Sequence, residues 1–111
     1  QNGYDGSGIV VSIIDTGIDL NHPDLEGQII GGYDFVDNDE IPEDTNGHGT
    51  QVAGIIASNG NLKGIAPNSK ILMYKVSEDG ESVPSHLIIK AIEKSIEDNA
   101  DIINISLGIN Q

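Results

Sequence analysis

Cysteine is absent from the 111 residues, so no disulfide braces the fold, and the redox compartment is left open. Basic residues are missing from the first half. No Lys or Arg precedes Lys63, whereas eleven Asp and Glu do. The remainder holds seven acids and five lysines, for a net charge of -13. That balance excludes nucleic acid as a partner, because phosphate recognition needs clustered cations. It admits cations and basic peptides. Long apolar runs are missing too: none approaches the roughly 18 residues that a bilayer-spanning helix requires, so no membrane span is expected. There is no initiator Met (Met73 is the sole methionine) and no signal-peptide pattern. The chain is therefore expected to begin inside a larger product.

What is present suffices for one small domain. A chain of this length hides about 60–65% of its unfolded surface on folding, so the core is modest. Apolar residues fall in blocks, which argues against disorder. Ile9 to Ile14 is a β-branched run of the kind a buried strand needs, closed by Asp15-Thr16-Gly17. Asn21 to Leu25 reads as a capped turn or one helical turn, with Pro23 favoured at its first position. Gly32 to Val36 is a weaker strand, followed by an acidic loop from Asp37 to Gly47.

From Gly49 to Ser58 the pattern becomes that of a helix, with Val52, Ala53, Ile55, Ile56 and Ala57 as its apolar set. Asn59-Gly60-Asn61 stops it. Ile71 to Val76 is a third strand. Ser82 to Asn99 is the clearest helix: Ser82 or a neighbour caps it and Pro84 lies in its first turn. Leu87, Ile88, Ala91, Ile92 and Ile96 form its apolar stripe. Asp101 to Ile105 is a fourth strand, ending in Ser106-Leu107-Gly108. Strands alternating with helices imply an α/β fold, a parallel β-sheet flanked by helices. Ligands of such sheets bind beyond the carboxyl ends of the strands, where Asp15 and Ser106 to Gly108 lie.

Two residues there suggest chemistry. A carboxylate at the tip of a buried strand is costly unless hydrogen-bonded or paired. Asp15 alone could merely cap its own turn, and the tripeptide Asp-Thr-Gly also occurs in aspartic proteases. His48 sits between Gly47 and Gly49 at the start of a helix. The positive end of a helix disfavours imidazolium and leaves a neutral ring ready to accept a proton. Taken singly, His48 reads as a helix cap. Taken together, Asp15 and His48 supply the orienting carboxylate and the general base that a serine nucleophile requires.

The blocks around them strengthen this reading. Val11 to Asp19, His22 to Leu25, His48 to Gly54, Gly64 to Pro67 and Ile103 to Gly108 occur in one order. In that order they resemble the signatures of the subtilisin-like serine proteases (subtilases). The resemblance runs from about Gly6 to Gly108. It implies that residues 1–111 are the N-terminal part of a catalytic domain with a partial subtilisin-like fold. By position, Asp15 orients the imidazole, and His48 takes the serine proton and returns it to the leaving amine. Ser106, Leu107 and Gly108 line the substrate cleft and pair with an extended peptide substrate. The stretch around Glu81, Ser82 and Val83 faces them, with Glu81 and Val83 narrowing or recharging the distal pockets.

The family's nucleophile lies in a Gly-Thr-Ser segment that these residues do not contain, and Ser106 lacks the glycine-flanked turn of a nucleophile. The chain alone is thus expected to be inactive. The alternative is a non-catalytic module that uses the same fold for peptide binding or assembly. The chemistry requires no cofactor and no catalytic metal. Asp24 matches a carboxylate of a structural calcium site, but the following loop, Asn59 to Lys63, is short and carries a lysine. The acidic run from Asp34 to Asp44 reads as a solvated loop or as a negative rim favouring basic peptides, with Asp44 nearest the cleft. The resemblance favours an extracellular location. A final strand taken from the interior of a larger sheet leaves an unpaired edge, so self-association or completion by further chain is expected; a clean monomer on sedimentation would count against it.

Overall fold

The computed structural model describes residues 6–60, 63–81 and 83–107. In chain order the elements are strand β1 (Val10–Asp15), a 3-10 turn (Pro23–Leu25), strand β2 (Ile29–Asp34) and helix α1 (His48–Ala57). Strand β3 (Lys70–Lys75), helix α2 (Ser85–Glu97) and strand β4 (Ile102–Ile105) follow. The four strands form one sheet in the order β2-β3-β1-β4. Every pairing is parallel, as alternation of strands with helices demands.

Side chains of β1 and β3 alternate between two cores. Val11, Ile13, Ile71 and Met73 join Ala53 and Ala57 of α1, together with Ile18 and Leu25. Ile14, Leu72 and Tyr74 join Ile88 and Ala91 of α2, together with Val76 and Val83. With helices on both faces, β1 and β3 are buried after their first residues, Val10 and Lys70, which is why they read as continuous apolar runs. By the same alternation Asp15 projects toward the α1 side.

Several expectations require correction. β2 starts at Ile29 and runs through Gly31-Gly32 to Asp34, earlier than Gly32–Val36. The glycines are strand residues because a Cβ on Gly32 would collide with the Met73 backbone of β3. Pro84 occupies the N-cap of α2 rather than its first turn, and Ser82 lies outside the described residues. Ile96 is 65% exposed; Ser95 takes the buried position instead. It donates to the Ala91 carbonyl and shares a hydrogen bond with Ser12 of β1 at 2.5 Å. In α1, Ile55 is likewise exposed, while Gly49, Ala53 and Ala57 form the buried stripe. β4 closes one end of the sheet, with Ile102 and Ile105 exposed.

Candidate active site

Asp15 is the last residue of β1 and is fully buried. His48 is the first residue of α1. Nδ1 of His48 lies 2.7 Å from Oδ1 of Asp15. The same oxygen accepts the Thr16 N–H at 2.7 Å. Asp15 therefore does cap its own turn, and it pairs with the imidazole as well. Oδ2 of Asp15 is buried with no hydrogen-bond partner among the described residues.

Donation from Nδ1 to the carboxylate leaves the lone pair on Nε2. The His48 side chain is 41% exposed and lines a groove of ≈ 1280 Å³ with Asp44, Asn46, Ile55 and Ile65. A fixed ring with a free Nε2 at a solvent groove can accept a proton and return it. The partner of Asp15 is an imidazole, whereas an aspartic-protease reading would need a second carboxylate.

His48 does not cap its helix. The N-cap is Gly47, at φ 108, and it offers no side chain. The first N–H groups of α1 are taken by three side chains: Asn46 Oδ1 accepts from His48, Thr16 Oγ1 from Gly49 and Asp44 Oδ2 from Thr50, and Asp44 also holds the turn before the helix. Its Oδ1 accepts the N–H groups of Asn46 and Gly47, and its Oδ2 accepts the Thr50 N–H. Burial pushes the Asp44 carboxyl up, but the hydrogen bonds from Gly47, Thr50 and Asn46 outweigh it and hold the group below its ordinary 3.8. Asp44 lines the same groove as His48, as expected of the acid in this loop that faces the cleft, and its carboxylate is engaged in the turn. Asp34 is withdrawn: it is buried and accepts the N–H groups of Val36 and Asp37.

Beneath this loop lies Lys75, at the end of β3 and in register with Asp15. Its ammonium is buried, donates to the Glu43 carbonyl at 2.7 Å and pairs with Glu78 at 2.6 Å. Burial alone would lower its pKa, yet the hydrogen bond it donates to Glu78 and the charges of Glu78, Asp34 and Asp37 leave it raised. Sequence reading missed both Asp44 as a cap and Lys75 as an anchor. The first had a signal: Asp44-Thr45-Asn46-Gly47 places Asp at the first and Gly at the fourth position of a type I turn.

Ser106 and Leu107 directly follow β4, whose Ile105 pairs with Ile14 beside Asp15. They thus lie at the same end of the sheet as Asp15. The Ser106 hydroxyl donates to Asn104 Oδ1 at 2.7 Å. Gly108 and Ser82 lie outside the described residues. Across from Leu107 runs the turn at Gly80. Val83 is fully buried in the α2-side core, so it cannot narrow a pocket as expected; Glu81 is exposed.

Calcium needs six to eight oxygen ligands. Asp24 presents its carboxylate to the Gly60 backbone, and Lys63 donates to the neighbouring Asn59. Among the described residues this donor set does not fit the ion. Among the described residues, Asp34, Asp37 and Asp39 form a group of three acids whose oxygens lie within 4.8 Å of one another.

The model of the Subtilase family matches residues 6–111. Minor extracellular protease Vpr of Bacillus subtilis (strain 168) is 47% identical over 96% of this chain and 14% of its own length. Major intracellular serine protease of the same strain is also 47% identical, over 96% of this chain and 36% of its own. Thermitase of Thermoactinomyces vulgaris is 42% identical, over 94% of this chain and 39% of its own. The chain therefore spans well under half of each of these relatives. The crystal structure of a cold adapted subtilisin-like serine proteinase superposes on the whole chain with a TM-score of 0.87 at 37% identity, over 41% of that structure. Names of equal identity carry both "extracellular" and "intracellular", so the similarity spans both compartments.

Proposed function

Because this chain belongs to the subtilase family, we propose that it supplies the acid–base half of a serine endopeptidase. Residues 1–111 form the N-terminal part of that catalytic domain, and the nucleophilic serine lies elsewhere in the protein. The observation that carries the reading is the 2.7 Å contact between His48 Nδ1 and the fully buried Asp15.

In this reading Nε2 of His48 takes the proton of the serine hydroxyl as its oxygen attacks the scissile carbonyl. Asp15 holds the ring in place and stabilises the imidazolium that forms. The proton then passes from Nε2 to the leaving amine, and a water repeats the cycle to release the acid. The substrate is an extended peptide. Backbone groups of Ser106, Leu107 and Gly108 would pair with it as an added strand, opposite the segment at Ser82. No step needs a metal or cofactor.

The test compares the full-length protein, its His48→Ala variant and the 111-residue chain on a chromogenic peptide ester. The full-length protein should turn it over, and the isolated chain should not. His48→Ala should lose on the order of 10⁶-fold in kcat, a figure that comes from subtilisin, a member of the same family, and not from this geometry. Turnover that survives His48→Ala would refute the assignment.

A further inference from the structure

We propose that Asp44 is a positioning residue for the Asp15–His48 pair, locking the loop after β1 to the first turn of α1 through two threonine hydroxyls. The proposal rests on the hydrolase reading for its kinetic consequence, but its structural content can be measured without it.

Asp15 and His48 are 33 residues apart and sit on different elements, so their 2.7 Å contact needs an external constraint. Asp44 provides it from both oxygens. Oδ1 accepts the Thr16 hydroxyl at 3.0 Å, besides the backbone N–H groups of Asn46 and Gly47, each at 2.9 Å. Oδ2 accepts the Thr50 hydroxyl at 2.6 Å and the Thr50 N–H at 3.0 Å.

The two hydroxyls relay the constraint. Thr16 adjoins Asp15, is fully buried, and donates its own N–H to Asp15 Oδ1. While its hydroxyl donates to Asp44, it accepts the Gly49 N–H of α1 at 2.8 Å. Thr50 repeats the device: its hydroxyl donates to Asp44 and accepts the Asp19 N–H of the post-β1 loop at 2.8 Å. Each threonine thus joins the two elements, and Asp44 orients both hydroxyls so that their lone pairs face the right donors.

All five partners of Asp44 are donors, which only a carboxylate can serve from both ends. An asparagine would turn an NH₂ group toward one set and break one relay. Backbone contacts hold the clamp in place: the Asp44 N–H donates to the Ile18 carbonyl at 3.1 Å, and Lys75 grips the Glu43 carbonyl from below.

The test uses the full-length protein with ¹⁵N-labelled histidine. In the wild type the proton between His48 Nδ1 and Asp15, across 2.7 Å, should give a far-downfield resonance. Asp44→Asn should broaden or abolish it and lower kcat about 10²-fold, the effect of roughly 1 Å of misplacement, with KM nearly unchanged. Glu40→Gln removes one charge from the same loop at an exposed position and should alter neither reading.

Thr16→Val should reproduce the loss, and Thr16→Ser, which keeps the hydroxyl, should restore it; this pair decides the matter if Asp44→Asn folds poorly. Asp44→Asn with an intact resonance and kcat within twofold of wild type would overturn the proposal. So would equal losses in Thr16→Val and Thr16→Ser. If the wild type cleaves no peptide, the hydrolase reading fails and the resonance alone decides the role of Asp44.

Discussion

Replacing Gly49 by alanine should damage the site, although the same change one and a half turns later should help. Both residues lie in α1, where Gly→Ala ordinarily adds up to about 1 kcal/mol of stability. Gly54 has nothing within 4 Å of the position a Cβ would take, so Gly54→Ala should show that ordinary gain with unchanged kinetics. At Gly49 a Cβ would fall well inside contact distance of the Gly17 carbonyl oxygen, 3.0 Å from Gly17 N and 3.1 Å from Thr16 Oγ1. Carbon–oxygen contacts settle at about 3.3–3.6 Å, so the first turn of α1 must recede by roughly 1 Å. That movement carries His48 Nδ1 off Asp15, from 2.7 Å, and Gly49 N off Thr16 Oγ1, from 2.8 Å. Beyond about 3.5 Å neither remains a hydrogen bond. Losing one charged and one neutral buried bond costs about 3 kcal/mol, less the helix gain, which leaves a net loss of roughly 2 kcal/mol. The displaced base should also cost about 10²-fold in kcat. Urea unfolding and peptide-ester kinetics of the full-length protein read the two quantities. If Gly49→Ala matches Gly54→Ala in both, the close approach of α1 to the loop after β1 does not set the geometry of the pair.

Two further outcomes follow from polar groups, one half-buried and one in the core. Asp44 titrates below its ordinary 3.8 when folded, so the unfolded chain takes up this proton first. The stabilisation is therefore complete above about pH 4 and is lost as pH falls through the depressed folded value. A urea midpoint followed from pH 5 downward should fall less steeply in Asp44→Asn than in wild type; equal slopes would count against it. The Ser12–Ser95 hydroxyl pair joins β1 to α2 at 2.5 Å in the core. Ser95→Ala should cost about 1–3 kcal/mol by stranding the Ser12 hydroxyl, whereas Ser12→Ala with Ser95→Ala should cost less than the sum. Additivity in that cycle would show the pair to be uncoupled.

The elements were legible in the sequence because their signals are local. Period-3.6 and β-branched runs marked α2, β1 and β3, and glycine-flanked His48 announced its own helix start. Errors arose where burial has a non-local cause. Ile96 and Ser95 are neighbours, and hydropathy favours the isoleucine, but Ser12 on β1 makes position 95 the buried one. Val83 read as a pocket wall and lies in the core. Gly32 read as the start of a strand and lies inside it, where β3 passes too close for a side chain.

For the site, the sequence by itself determined the chemistry: a carboxylate at a strand end, an imidazole at a helix start, and ordered blocks around both that tie them to a subtilase. It did so because residue type and local spacing are written along the chain. Only the tertiary structure decided the geometry. A strand apolar on both faces does not reveal which way its terminal carboxylate points; the packing of α1 on the odd-numbered side of β1 turns Asp15 toward His48. Nor does an acidic loop reveal which of its charges is solvated. Asp44 looked like part of a rim, and five donors, four from residues 46–50 and one from Thr16 in the loop after β1, make it a clamp.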